Sequence, residues 1–231
     1  MSFLPARTAF RFSLAAGLIV LALSVFSMLQ PPPQPCGSLP KNYAPIIAFE
    51  LARTQADLDA IFGSTEGPCR TAMIEKMDAV NWVDALLFVP IYGAFLLFFF
   101  TGMRERDPRL GNAGIAASWI AIVGDYFENT CLMQLTPSLD VTSIWFTLLP
   151  WATGIKWLAL GIGCGLAAAL FATRSPRNVL LCLLCVPGFL VSVVTLIDPA
   201  KLGPYLSLAI GLGWLAFLIA AVVGSFRRVA Q

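Results

Sequence analysis

The sequence contains no histidine. That removes the commonest general base and the commonest transition-metal ligand. Haem or zinc held by histidine, and Ser-His-Asp chemistry, are excluded unless a partner chain supplies the imidazole. Charge is also scarce: Asp, Glu, Lys and Arg make up 12% of the residues, where a soluble domain carries about a quarter. There is no glycine-rich phosphate loop, Walker sequence or dinucleotide fingerprint. A net charge of +2 gives no footing for a nucleic-acid partner.

What is present is apolar. Hydrophobic residues make up 58% of the chain, and the mean hydropathy is +0.80. Water cannot solvate that much apolar surface, so the expected solvent and first partner is the lipid bilayer. A length of 231 residues fits one membrane domain and no separate soluble one. The expected fold is all-α: a polytopic transmembrane helix bundle of about six spans, near 12–29, 82–102, 113–134, 144–171, 179–197 and 205–225. In lipid these runs must be helical, because every backbone polar group needs an internal partner.

Basic residues set the expected orientation. Arg7 and Arg11, then Arg104, Arg106 and Arg109, then Arg174 and Arg177, then Arg227 and Arg228 fall on one side of a six-span chain. The opposite short loops hold Asp140, Asp198 and only Lys201. Both termini are therefore expected in the cytoplasm, and the membrane is expected to be a bacterial inner membrane. The alternative for the first span is a cleaved signal peptide, but SMLQPPPQP offers no small-x-small cleavage site.

Residues 30–80 form the one long loop, expected on the external side. It opens with Pro31 to Pro33 and Pro35, which favours an extended polyproline conformation. Cys36 and Cys69 are its only cysteines, and on an oxidising face a disulfide is the natural reading, with two free thiols as the alternative. Within FELARTQADLDAIFG, residues 49–63, Thr54 followed by Asp57 reads as a helix start and Gly63 as a stop. A short amphipathic helix with Leu58, Ile61 and Phe62 on one face is predicted.

Ionisable residues inside a bilayer cost about 2.5–3.5 kcal/mol each on insertion scales, so they persist where they are buried against partners. Four fall inside the apolar runs: Asp84, Asp125, Glu128 and Lys156. Asn81, Asp84, Phe88 and Tyr92 share one face of the second span. Asp125, Glu128 and Asn129 share one face of the third. Lys156 falls near the centre of the fourth, too deep to reach either surface, and Asp125 or Glu128 is its obvious partner. Three carboxyls against one ammonium leave an excess that must hold a proton or a cation. The expectation is a polar pocket, open outward, formed by Asp84, Tyr92, Asp125, Glu128, Asn129 and Lys156. No resident cofactor is implied, though a proton or a divalent cation is compatible with the carboxylates. The bland alternative is that these contacts only fix helix register.

The segments FELARTQADLDAIFG, DALLFVPIYG (84–93) and GDYFENT (124–130) together resemble a group of small uncharacterised bacterial multi-pass membrane proteins. These have an external FELA-type segment, an Asp and a Tyr on the next span, and D-x-x-E-N on the one after. The resemblance covers roughly residues 49–130. It implies that Asp84, Tyr92, Asp125, Glu128 and Asn129 act as one set, and it carries no activity with it.

Three functions follow as expectations. The first is proton- or cation-coupled transport through the carboxylate/lysine site, which in so short a chain calls for a homo-oligomer or a partner membrane subunit. The second is a membrane enzyme acting on a lipid or isoprenoid substrate. The third is a non-catalytic subunit or assembly factor of a membrane complex.

Overall fold

The computed structural model describes residues 4–30, 34–40, 43–172 and 178–226. The run Pro31–Pro33 and the arginines Arg174, Arg177, Arg227 and Arg228 lie outside them. Among the described residues all regular structure is helical, with no strand. Helix α1 covers Ala6–Leu29. Three helices follow before the next apolar run: α2, Pro45–Glu50; α3, Gln55–Phe62; and α4, Pro68–Val83. A π-helical turn, Asp84–Phe88, joins α4 to α5, Val89–Met103. Then come α6, Pro108–Leu135, α7, Ile144–Ala172, and α8, Val179–Ile197. A short α9, Pro199–Leu202, and a 3-10 turn lead into α10, Leu206–Phe226.

Five of these stretches are long and apolar enough to cross a membrane: α1, Pro68–Met103, α7, α8 and Gly203–Phe226. Helix α6 is as long, with 28 residues, but Asp125, Glu128 and Asn129 in its second half keep it out of that group.

The long helices pack in a ring. Helix α1 lies against α5, α5 against α6, α6 against α7, α7 against α8, α8 against α10, and α10 back against α1. Small residues permit the close crossings. A Cβ on Gly161 would stand 2.6 Å from the Ser192 side chain of α8, and one on Gly114 only 2.0 Å from the ring of Phe100. At one end of the ring, Glu105 accepts from the backbone N–H of Ala6 at 3.2 Å. At that same end the Arg7 guanidinium donates to the Ser225 carbonyl at 3.1 Å. The start of α1, the turn after α5 and the end of α10 therefore meet there, beside Arg104, Arg106 and Arg109. Toward this basic end the interior is aromatic: Phe99 and Phe217 stack with ring centroids 4.3 Å apart, and Phe100 and Phe171 are buried beside them.

The opposite end carries the segment 34–83, and here the structure differs from the expected loop. Three helices replace one. Helix α3 begins with a reciprocal capping box between Thr54 and Asp57 and stops at Gly63, whose φ of +80° suits a residue without a Cβ. Helix α2 precedes it as a separate turn. Helix α4 starts at Pro68 and runs straight into the next apolar run. It escapes a hydropathy reading because only Met73, Met77 and Asn81 are buried, one per turn, on an otherwise polar surface. Cys36 and Cys69 form a disulfide with Cα atoms 5.8 Å apart. The Cys36 N–H also donates to the Ile61 carbonyl at 2.8 Å, tying α3 to the start of α4. Beneath them Phe49 and Phe62 pack edge to face at 4.9 Å.

Candidate functional site: a buried carboxyl–ammonium cluster

Helices α6 and α7 approach closely at Gly124. A Cβ there would lie 2.9 Å from the Lys156 backbone nitrogen. That contact brings the polar face of α6 onto Lys156. Glu128 and Lys156 are hydrogen-bonded through Oε1 and Nζ, and Asp125 Oδ1 lies 3.6 Å from the same Nζ. Tyr126, between them in sequence, turns outward and is exposed.

The third acidic contact comes from α2. Glu50 Oε2 accepts from Lys156 Nζ at 3.0 Å and from Trp157 Nε1 at 2.9 Å. The Glu50 carbonyl accepts from Thr153 Oγ1 at 3.0 Å. One residue of the α2 turn is thus fixed to α7 by three bonds, and its side chain is buried. Burial pushes the Glu50 carboxyl above the usual carboxylate range, and the Lys156 ammonium offsets part of that rise. The ammonium also lies 4.7 Å from the centre of the Trp157 ring.

On the other side of Asp125, the Tyr92 hydroxyl donates to Oδ2 at 2.7 Å, and the Tyr92 ring stacks on Trp214 of α10 at 5.4 Å. Asn129 Nδ2 donates to Asp84 Oδ2 at 2.6 Å and to Asp125 Oδ1 and its carbonyl at 3.1 Å each. Asp84 opens the π-helical turn, a local underwinding that ends two residues before Pro90, the residue of α5 that lacks an N–H.

The structure therefore brings all six residues expected from the sequence, Asp84, Tyr92, Asp125, Glu128, Asn129 and Lys156, into one cluster, two hydrogen-bonded sets joined by the Asp125–Lys156 ion pair. It adds Glu50, Thr153 and Trp157. Among the described residues these side chains do not line an open pocket: Glu50 packs over Lys156 from the α2 side, and Asp125, Glu128, Asn129 and Lys156 are all buried. Two cavities lie outside the cluster: one of about 300 Å³ beside Asp78, Trp82 and Thr130, and one of about 420 Å³ behind α2.

Four carboxyls now share one ammonium. Lys156 sits in contact with three of them, Glu50, Asp125 and Glu128. No group of three or more Asp, Glu or Cys among the described residues has the arrangement of a metal site. Two buried polar atoms in this part of the molecule, Glu128 Oε2 and Asn81 Nδ2, have no hydrogen-bond partner among the described residues. In a low-dielectric interior each such group is costly.

No protein-family model matches this chain, and no curated protein or solved structure matches it either.

Proposed function

We propose that this is a six-span membrane protein, with both termini cytoplasmic in a bacterial inner membrane, that couples protons to the movement of a small cation through the Glu50–Asp84–Asp125–Glu128–Lys156 cluster. Six spans follow if α6, which is packed between α5 and α7 at comparable length, crosses with its neighbours. The orientation follows from the arginines gathered at the end where α1 starts and α10 finishes.

The observation that carries the functional reading is the imbalance of charge: three buried carboxyls contact a single ammonium, and a fourth, Asp84, joins through Asn129. Lys156 balances one. The remainder must take up protons or a cation, and their charge changes whenever either leaves. A proton arriving on Glu50 or Glu128 weakens that group's hold on Lys156. A free ammonium then repels a neighbouring cation, and a re-formed pair accommodates one, which is the minimum requirement for coupling. Glu50 rides on a six-residue turn held from outside the ring, so its release from Lys156 and Trp157 opens the cluster toward the end opposite the arginines.

The test is flux in proteoliposomes loaded with a pH-sensitive dye. After an imposed pH gradient, wild-type protein is expected to dissipate it about tenfold faster than Glu128→Gln, the scale of losing one transition-linked charge. Glu50→Gln is expected to change the rate as well, with both variants checked as folded by their unfolding midpoints. Equal rates for wild type and both variants would overturn the reading.

A further inference from the structure

The cavity of about 420 Å³ lies between the α2–α3 region and the junction of α8 with α9. Its lining includes Tyr43, Leu51, Arg53, Asp57, Ile197 and Asp198. Arg53 is its unusual member. Its guanidinium is half-buried and donates only to backbone carbonyls, to Ala52 at 2.8 Å and Glu50 at 3.4 Å. Among the described residues it forms no ion pair with a carboxylate.

Two carboxylates face the same space. Asp57 spends one oxygen on the α3 cap, accepting from the N–H groups of Arg53 and Thr54. Asp198 accepts from the Lys201 N–H at the start of α9. A simple anion would meet Arg53 but be repelled by Asp57 and Asp198, and a simple cation would meet the reverse. A molecule carrying both signs satisfies all three. The Tyr43 hydroxyl stays protonated over the physiological range, pushed up to about 12 by burial and by Asp57 and Glu50, and so offers a donor. Apart from Ser38 the rest of the lining is apolar, and Ile197, 81% exposed, continues the cavity along the open face of α8.

We infer that this cavity binds a zwitterion bearing a phosphate or carboxylate and a primary ammonium on an apolar body, with the anionic group on Arg53 and the ammonium on Asp198. An aminophospholipid headgroup and a free amino acid share that chemistry. The site goes beyond the transport reading and does not depend on it. It does touch the same turn, because Arg53 caps the carbonyl end of α2, whose last residue is Glu50.

The test uses the full-length protein, delipidated in detergent. Native mass spectrometry compares retention of phosphatidylethanolamine, phosphatidylcholine and phosphatidylglycerol with identical acyl chains. Thermal unfolding is followed with glycerophosphoethanolamine and with leucine. About a fivefold preference for phosphatidylethanolamine is expected, roughly the worth of one partly exposed charge pair. Arg53→Gln and Asp198→Asn should each abolish it. Asparagine keeps the α9 cap while removing the charge, so that variant reports the site even if Arg53→Gln fails to fold. Glu50→Gln should retain the preference, which separates this inference from the transport reading. A midpoint raised by the soluble zwitterions assigns the site to a free solute, and a lipid preference without that shift assigns it to the bilayer. No lipid preference together with no shift overturns the inference, as does a preference that survives both charge-removing variants.

Discussion

The two ends of the ring are built by opposite rules. Toward the arginine-rich end the interior is aromatic, with Phe99, Phe100, Phe171 and Phe217 interlocked. Toward the other end it holds the carboxyl–ammonium cluster beneath α2. In lipid the aromatic end gains little from leaving its solvent, because acyl chains are as apolar as the core. Its stability comes from dense packing, spread over many small contacts. The polar end concentrates its stability in a few bonds, each dependent on its partner. The first arrangement tolerates change in small steps. The second sets several carboxyls against one ammonium, which is why the proposed coupling is assigned there.

The sharpest way to break this comparison is to remove the hub. Lys156→Met keeps most of the unbranched side chain, one heavy atom shorter, and deletes the charge. It leaves Glu50, Asp125 and Glu128 without their common partner. Breaking a buried ion pair from one side costs about 3–5 kcal/mol, and a loss of that size is expected in a denaturing-detergent titration. The deficit should shrink between pH 8 and pH 5, because protons then supply the neutralisation that the ammonium gave. A loss below about 1 kcal/mol, independent of pH, would mean that the carboxyls do not depend on Lys156 and that the two ends are alike.

The aromatic end should respond less. Phe217→Leu removes part of the ring that stacks on Phe99 and meets Phe95 and Phe100. The remaining side chain still fills most of the space. The expected loss is about 1.5 kcal/mol, from forfeited packing contacts and ring stacking, with no dependence on pH over the same range. A loss equal to that of Lys156→Met would erase the distinction drawn between the two ends.

How much of this was legible in the sequence differs in the same way. The apolar helices show in hydropathy because lipid demands long unbroken runs. The i, i+3, i+4 spacing of Asp125, Glu128 and Asn129 places them on one face without any knowledge of tertiary structure. Glu50 was not legible as a site residue, since its partner Lys156 lies 106 residues away and α2 is only six residues long. A signal existed: Glu50 is the one charged residue in the run PIIAFEL, the same anomaly that marked Asp125 within its span. Helix α4 was missed because an amphipathic stripe one residue wide leaves no hydropathy peak. The π-helical turn at Asp84 has no periodic signature, and only Pro90 hinted at an irregularity there.

The smallest expected effect probes whether the polar end moves as one unit. Thr54 Oγ1 accepts from the Asp57 N–H at 3.2 Å, and Asp57 Oδ2 returns a bond to the Thr54 N–H at 2.8 Å. Thr54→Ala removes the first bond and leaves the second. An exposed cap of this kind is worth about 0.5–1 kcal/mol. The loss should appear as faster hydrogen exchange at the first amides of α3 alone. Glu50 is held to α7 by its own three bonds, and the intervening Leu51 and Ala52 are buried. Exchange in α2 should therefore stay at the wild-type rate, and proteoliposome flux with it. If α2 and α3 loosen together, Glu50 is carried by the whole segment closed by Cys36–Cys69, and the gate is that segment instead of one helical turn.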